Sequence, residues 1–218
     1  MDRRGTSIPQ ERKGPPVMPP PSARPGRVRL GGTRIAVVSD THTQGDGWDS
    51  PPELLHALRG VDLILHCGDL DSLGVLDHLE TVAPVLAVRG YPDPVEEGDR
   101  LANVLRVVEV EGIRIGMVHD PRWPLPLTFT HTLGFPPGPV QDHLRPRFGT
   151  EVDVVCFGDT HDEYIGWYQG VLFLNPGSPS RPGMRHAPGD VGTFATLDIH
   201  QGVVAAELHK LRRGQHLE

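Results

Sequence analysis

Cysteine is scarce, at two residues in 218, which excludes a disulfide-dense secreted scaffold. Long apolar runs are missing, and a stretch short of about eighteen apolar residues does not make a membrane-spanning helix. Residues 1–30 lack the apolar core of a secretory signal. Together these absences lead us to expect a cytoplasmic protein with no membrane attachment. No internal repeat is present. A broad excess of basic charge is missing too: the formal net charge is -7 at pH 7. That charge is unevenly spread, because residues 1–30 carry seven Arg or Lys and two Asp or Glu, and the rest carries 14 and 26. An acidic body argues against coating nucleic acid through a wide basic face. It leaves a phosphate substrate open if bound metal ions supply local positive charge.

What is present divides at about residue 30. Seven prolines and the basic residues crowd residues 1–30, with too few apolar positions for a packed face. We therefore expect a disordered basic tail over residues 1–30 and a single domain over residues 31–218. Hydrophobic residues make up 37% of the chain, enough for one ordinary core.

Residues 34–39 and 62–67 are β-branched apolar runs of the buried-strand kind. Between them, residues 50–60 predict a helix capped by Ser50, with proline in its first turn and Gly60 at its end. A second helix is predicted over residues 71–81 and a third strand over residues 84–88. The second half changes character. Glu111-Gly112, Gln169-Gly170 and His200-Gln201-Gly202 are turn signals between apolar runs, which predicts three hairpins. Residues 152–157 form another buried run. Residues 121–148 predict a long ordered loop in which only residues 140–144 look helical. A βαβαβ front and a hairpin-rich back suit an α/β fold: two mixed sheets face to face with helices outside, a four-layer α-β-β-α sandwich.

Polar residues follow each strand at once: Asp40-Thr41-His42, Gly68-Asp69, Arg89-Gly90-Tyr91-Pro92-Asp93, His119-Asp120 and Gly158-Asp159-Thr160-His161. In layered α/β folds the C-terminal strand ends gather on one edge, where ligands bind. Carboxylates and imidazoles without a thiolate are a ligand set for Mn, Fe, Zn and similar divalent metals. A lone Asp-x-His is usually a turn; five such strand ends in one chain are not accidental.

In order and type these motifs resemble the calcineurin-like metallophosphoesterases, specifically their small bacterial and archaeal phosphodiesterase branch. The likeness runs over residues 34–208 and includes Leu174-Asn175-Pro176-Gly177-Ser178. It implies two divalent ions, drawn from Mn, Fe, Ni or Zn. Asp40, His42 and His161 would hold the first, with Asp69 bridging. Asp69, His119 and two further positions would hold the second. Those two positions depart from the family, with Tyr91 where it has Asn and Asp159 where it has the first His of Gly-His-x-His. Pro92 stands where many relatives have a catalytic His. Tyr91 is a poor ligand unless ionised; it either points away, with Asp93 or Asp120 substituting, or caps the site.

The expectation is a phosphoesterase, a phosphodiesterase more than a monoesterase, acting on a small phosphate ester through a metal-activated water at a dinuclear centre with an altered second site. The alternative is a catalytically weak or inactive metal-binding scaffold on the same fold. His131 and His186 are candidate general acids, and Arg122 and Arg181 candidate phosphate binders. His66, inside a strand, reads as a satisfied core or supporting group, and Cys67 and Cys156 as small buried residues. Trp123, Phe129 and Phe135 either line a substrate pocket or pin the long loop. A homo-oligomer remains open.

Overall fold

A computed structural model describes residues 32–43, 46–47, 50–95, 100–129, 132–187 and 189–212. The proposed tail and His131 lie outside the described residues.

Three parallel strands build one side of the first sheet: β1 (Thr33–Val38), β2 (Leu63–His66) and β3 (Val85–Ala87). The last hairpin, β11 (Thr193–His200) and β12 (Val203–Lys210), extends it antiparallel, giving the order β12-β11-β1-β2-β3. The second sheet is built alike. The strands β5 (Ile113–Val118), β8 (Val154–Cys156) and β10 (Val171–Asn175) run parallel. Hairpin partners β4 (Leu105–Val110) and β9 (Tyr164–Tyr168) close its edges, giving β4-β5-β8-β10-β9. All three predicted hairpins form.

Alternation of side chains across each strand creates three apolar layers. Ile35, Val37, Leu65 and Cys67 of the first sheet meet Ile115, Met117, Val154, Cys156 and Leu174 of the second. The outer face of the first sheet, Ala36, Val38 and Ile64, packs on the helices α1 (Pro52–Ala57) and α2 (Gly74–Glu80). The outer face of the second, including Val155, Phe157 and Phe173, packs on α3 (Val140–Phe148). The four-layer α-β-β-α architecture is as expected. Both cysteines are free and buried. Among the described residues no helix is long and apolar enough to cross a membrane.

The helices differ from expectation in extent. Ser50 makes no cap: the Pro-Pro pair holds Pro51 extended at ψ 125°, so the helix begins at Pro52. The second helix begins at Gly74 rather than near residue 71, because Asp71 is left-handed at φ 66°. The third runs past residue 144, through Pro146 to Phe148, and stops where Gly149 turns left-handed and donates to the Arg145 carbonyl at 2.9 Å. The stretch before it is not all loop, since β6 (Thr128–Phe129) and β7 (Leu133–Gly134) form a small ribbon. Phe129 packs edge-on against Phe157 and Tyr164, and Phe135 stacks on Tyr168 at 3.7 Å. Those two aromatics pin the segment. Trp123 instead stays 58% exposed.

Candidate metal centre

The loops after β1, β2 and β8 share one backbone device. In each, two non-glycine residues spaced by one have positive φ: Asp40 (55°) and His42 (44°), Asp69 (57°) and Asp71 (66°), Asp159 (72°) and His161 (59°). Left-handed backbone disfavours residues other than Gly, Asn and Asp, so each loop is held by its surroundings. Asp93 does much of the holding. Its buried carboxylate accepts from the N–H groups of Asp69 (2.9 Å), Leu70 (2.6 Å), Asp71 (3.0 Å) and Gly90 (2.7 Å), tying the loops after β2 and β3 together. Asp93 is thereby committed to backbone and not to a metal, which corrects its suggested role as a substitute ligand. Only glycine fits at 90, where a Cβ would lie 1.9 Å from Asp69 Oδ1.

The motif 175–178 locks the other loops. Asn175 donates to the carbonyl of Gly158 at 2.9 Å and to Thr160 Oγ1 at 3.1 Å, and Ser178 Oγ donates to the Asp40 carbonyl at 2.7 Å.

Three imidazoles meet on this frame in matching orientation. His161 Nδ1 lies 2.7 Å from the Arg181 carbonyl, and His119 Nδ1 lies 2.8 Å from the Cys67 carbonyl. His42 Nδ1 lies 3.3 Å from both oxygens of Asp71. A carbonyl or carboxylate accepts only, so each Nδ1 carries a hydrogen, and in the neutral ring each Nε2 keeps a free lone pair. Those Nε2 atoms converge. His42 Nε2 is 3.1 Å from His161 Nε2 and 3.6 Å from Asp69 Oδ2. His161 Nε2 is 3.6 Å from Asp40 Oδ1, and His119 Nε2 is 3.1 Å from Asp69 Oδ1. Asp40 Oδ1 and His119 Nε2 are buried and make no hydrogen bond. Among the described residues, two groups of side chains could each hold an ion: Asp40, His42 and His161, and Asp40, Asp69 and His119. Facing lone pairs and an unpartnered buried carboxylate oxygen fit a divalent cation.

The electrostatics agree. Burial pushes the Asp40 carboxyl up to about 7. Burial opposes charge on His119, yet the Asp69 and Asp40 carboxylates push its ring up to about 9. Burial lowers His161, and burial raises Asp159, helped by the nearby Asp120 carboxylate. At Asp40 and His119 the shifts favour a proton where a bound cation would neutralise the same negative charge instead.

The calcineurin-like phosphoesterase superfamily domain matches residues 33–202. The chain belongs to that superfamily. It is 36% identical over 159 residues to a probable metallophosphoesterase of Methanocaldococcus jannaschii, covering 70% of this chain and 72% of the relative. A phosphodiesterase of the same organism is 28% identical over 151 residues, covering 66% and 82%. Among solved structures, vacuolar protein sorting 29 of Entamoeba histolytica complexed with zinc shares the fold. Its TM-score is 0.58 at 22% identity, covering 83% of this chain and all of that one, 100%. As a superfamily member the chain carries a divalent-metal-dependent phosphoesterase frame.

Against the superfamily pattern, the departures cluster in space. Tyr91 is 67% exposed; its hydroxyl donates to Asp120 Oδ2 at 3.2 Å and its ring lies edge-on to His119 at 6.1 Å. Its backbone N–H donates to Asp69 Oδ1 at 3.0 Å. Asp159 lies outside both ion-holding groups: its Oδ1 is 4.0 Å from His119 Nε2, and its Oδ2 is paired with Arg122.

Arg122 is paired with Asp120 and Asp159, and Arg181 orients His161 through its carbonyl while its guanidinium reaches the His42 carbonyl at 3.4 Å. His186 Nε2 donates to Glu163 Oε1 at 2.8 Å, on the wall of a cavity of about 670 Å³ shared with Thr160, His161 and Asp190. A second cavity of about 310 Å³ is lined by Tyr91, His119, Asp120 and Trp123. His66 is neutral, with its ring buried: Gly68 N–H donates to Nδ1 at 3.2 Å, leaving Nε2 to donate to Thr41 Oγ1 at 3.1 Å.

Sequence reasoning missed Asp71, although it repeats the two-residue step of Asp40 to His42. It also missed the Asp120–Arg122–Asp159 connection, which no spacing signals because residues 122 and 159 meet only through the fold.

Proposed function

We propose that this chain is a metal-dependent phosphodiesterase. The observation that carries the reading is the convergence of His42, His119 and His161, each with Nδ1 anchored and Nε2 aimed inward, on buried Asp40 and half-buried Asp69. Asp40, His42, His161 and Asp69 would hold the first cation; Asp69 and His119 belong to the altered second position. Bound there, a divalent cation supplies Lewis acidity toward a phosphoryl oxygen and toward the attacking water. The protein's own residues fix the imidazole tautomers, keep the carboxylates dry and hold the loops in register. With Pro92 in place of a His, no side chain at that position protonates a leaving group.

The preference for diesters rests on charge as well as on one relative's name. Asp40, Asp69, Asp71, Asp120 and Asp159 crowd this rim, and a diester brings one negative charge where a monoester brings nearly two near neutral pH. Two buried thiols suit a reducing cytoplasm. The departures at Tyr91, Pro92 and Asp159 favour the scaffold as a second reading.

Removing metal with a chelator and restoring Mn, Fe, Ni, Zn or Mg singly separates the readings. We expect hydrolysis of bis(p-nitrophenyl) phosphate to return with metal and to exceed that of p-nitrophenyl phosphate. Metal binding with no turnover of either ester would assign the scaffold.

A further inference from the structure

Tyr91, Asp120, Arg122 and Asp159 form one polar chain beside His119. Asp120 anchors it. The Arg122 backbone N–H and Nε donate to Asp120 Oδ1 at 2.7 and 2.8 Å, and Arg122 Nη2 and the Tyr91 hydroxyl share Oδ2 at 3.1 and 3.2 Å. The same Nη2 donates to Asp159 Oδ2. Both residues that differ from the superfamily's ligands are thus tied to Asp120 and Arg122 while still bordering His119.

We propose that the Arg122 guanidinium takes the place of the second divalent cation, so that the centre works with one metal ion and one fixed organic cation. The inference rests on the metal-dependent reading above and revises its ion count. Three observations support it. The first position keeps two imidazoles of its own, His42 and His161, whereas the second keeps one, His119, and shares Asp40 with the first. The exchange of an imidazole for the Asp159 carboxylate adds a negative charge, and the guanidinium pairs with it. Finally, the Arg122 side chain is 49% exposed, so its outer edge remains open to a substrate. A guanidinium is charged at every working pH and presents a planar fork of donors that matches phosphoryl oxygens. It cannot acidify water, so that task stays with the complete site, and Arg122 supplies charge and hydrogen bonds to the phosphoryl group.

Metal counting tests this without relying on activity. The full chain is stripped by chelator and titrated with Mn²⁺, followed by elemental analysis and electron paramagnetic resonance. Arg122→Ala and Asp159→His are run alongside, with circular dichroism to confirm folding. We expect one Mn²⁺ per wild-type chain with an uncoupled spectrum. We expect two in each folded variant, with the spectrum of a spin-coupled pair. Either variant serves alone if the other does not fold. Two tightly held ions in the wild type would overturn the proposal, as would a single ion in folded variants. A wild type that takes no ion would overturn the metal-dependent reading itself.

Discussion

His161 and Arg181 are joined by a bond of 2.7 Å from the imidazole Nδ1 to a main-chain carbonyl. That contact uses backbone where His42 uses the Asp71 carboxylate, so the two ligands of the first position are oriented by groups of different strength. An oriented imidazole is a better ligand because the tautomer and ring angle are set before the ion arrives.

Asp71 is therefore the accessible handle on the first position. Asp71→Ala leaves His42 Nδ1 without its acceptor, and metal affinity is expected to fall about 10–100-fold, with Asp71→Asn falling less. Calorimetric titration with Mn²⁺ measures both. His161→Ala removes a ligand outright and is expected to abolish the tight ion. Unchanged affinity in Asp71→Ala would place His42 under the control of some other contact.

Asp93 ties two loops through four backbone N–H groups. Removing a charged acceptor of several buried donors is expected to lower stability by about 3 kcal/mol or more. Urea unfolding of Asp93→Ala in the absence of metal reads this, and Asp93→Asn should lose roughly half as much because one amide oxygen still accepts. A loss under 1 kcal/mol would show that the loops hold without the clamp.

Gly90→Ala places a methyl group against the Asp69 carboxylate and backbone, at 1.9 and 2.5 Å. The expected outcome is a folded protein by circular dichroism that has lost metal binding and hydrolysis together. Wild-type metal content in this variant would show that Asp69 can shift without consequence.

His66 gives stability a pH dependence. Burial, with His119 adding to it, holds its ring down at about 3, against an ordinary value of 6.5. The unfolded chain therefore binds the proton first as pH falls. His66 contributes fully above the unfolded value, and that contribution declines between about 6.5 and about 3. The decline is at most about 1.4 kcal/mol per pH unit. His66→Gln lacks this term, so the wild type's advantage over it in urea unfolding should shrink from pH 7 to pH 5. A constant difference would show that the His66 ring is reached by protons in the fold.

Much of this was legible from order alone. A continuous apolar run such as residues 35–38, followed by Asp40 and His42, signals a central parallel strand and its ligand-bearing end, because burial on both faces and a polar turn are local properties. Hairpins at Glu111-Gly112 and Gln169-Gly170 were legible for the same reason. Helix starts were not: Pro51 and the left-handed Asp71 each shortened a helix through backbone geometry that apolar periodicity does not encode. Asp93 was visible as an acid near the site, but whether its oxygens meet a metal or four N–H groups depends on how two loops approach. The pairing of Arg122 with Asp159 spans 37 residues and exists only once β5 and β8 lie side by side.

The six left-handed residues have a further consequence. Each non-glycine held at such φ costs about 1 kcal/mol relative to ordinary backbone. Glycine at 71 or 159, or asparagine at 42, would relax that strain and raise the melting temperature while weakening the centre. A laboratory lineage selected for heat resistance alone would drift toward those replacements and lose turnover on the way, whereas one selected for turnover would keep the strain and have to find its heat resistance in the apolar layers.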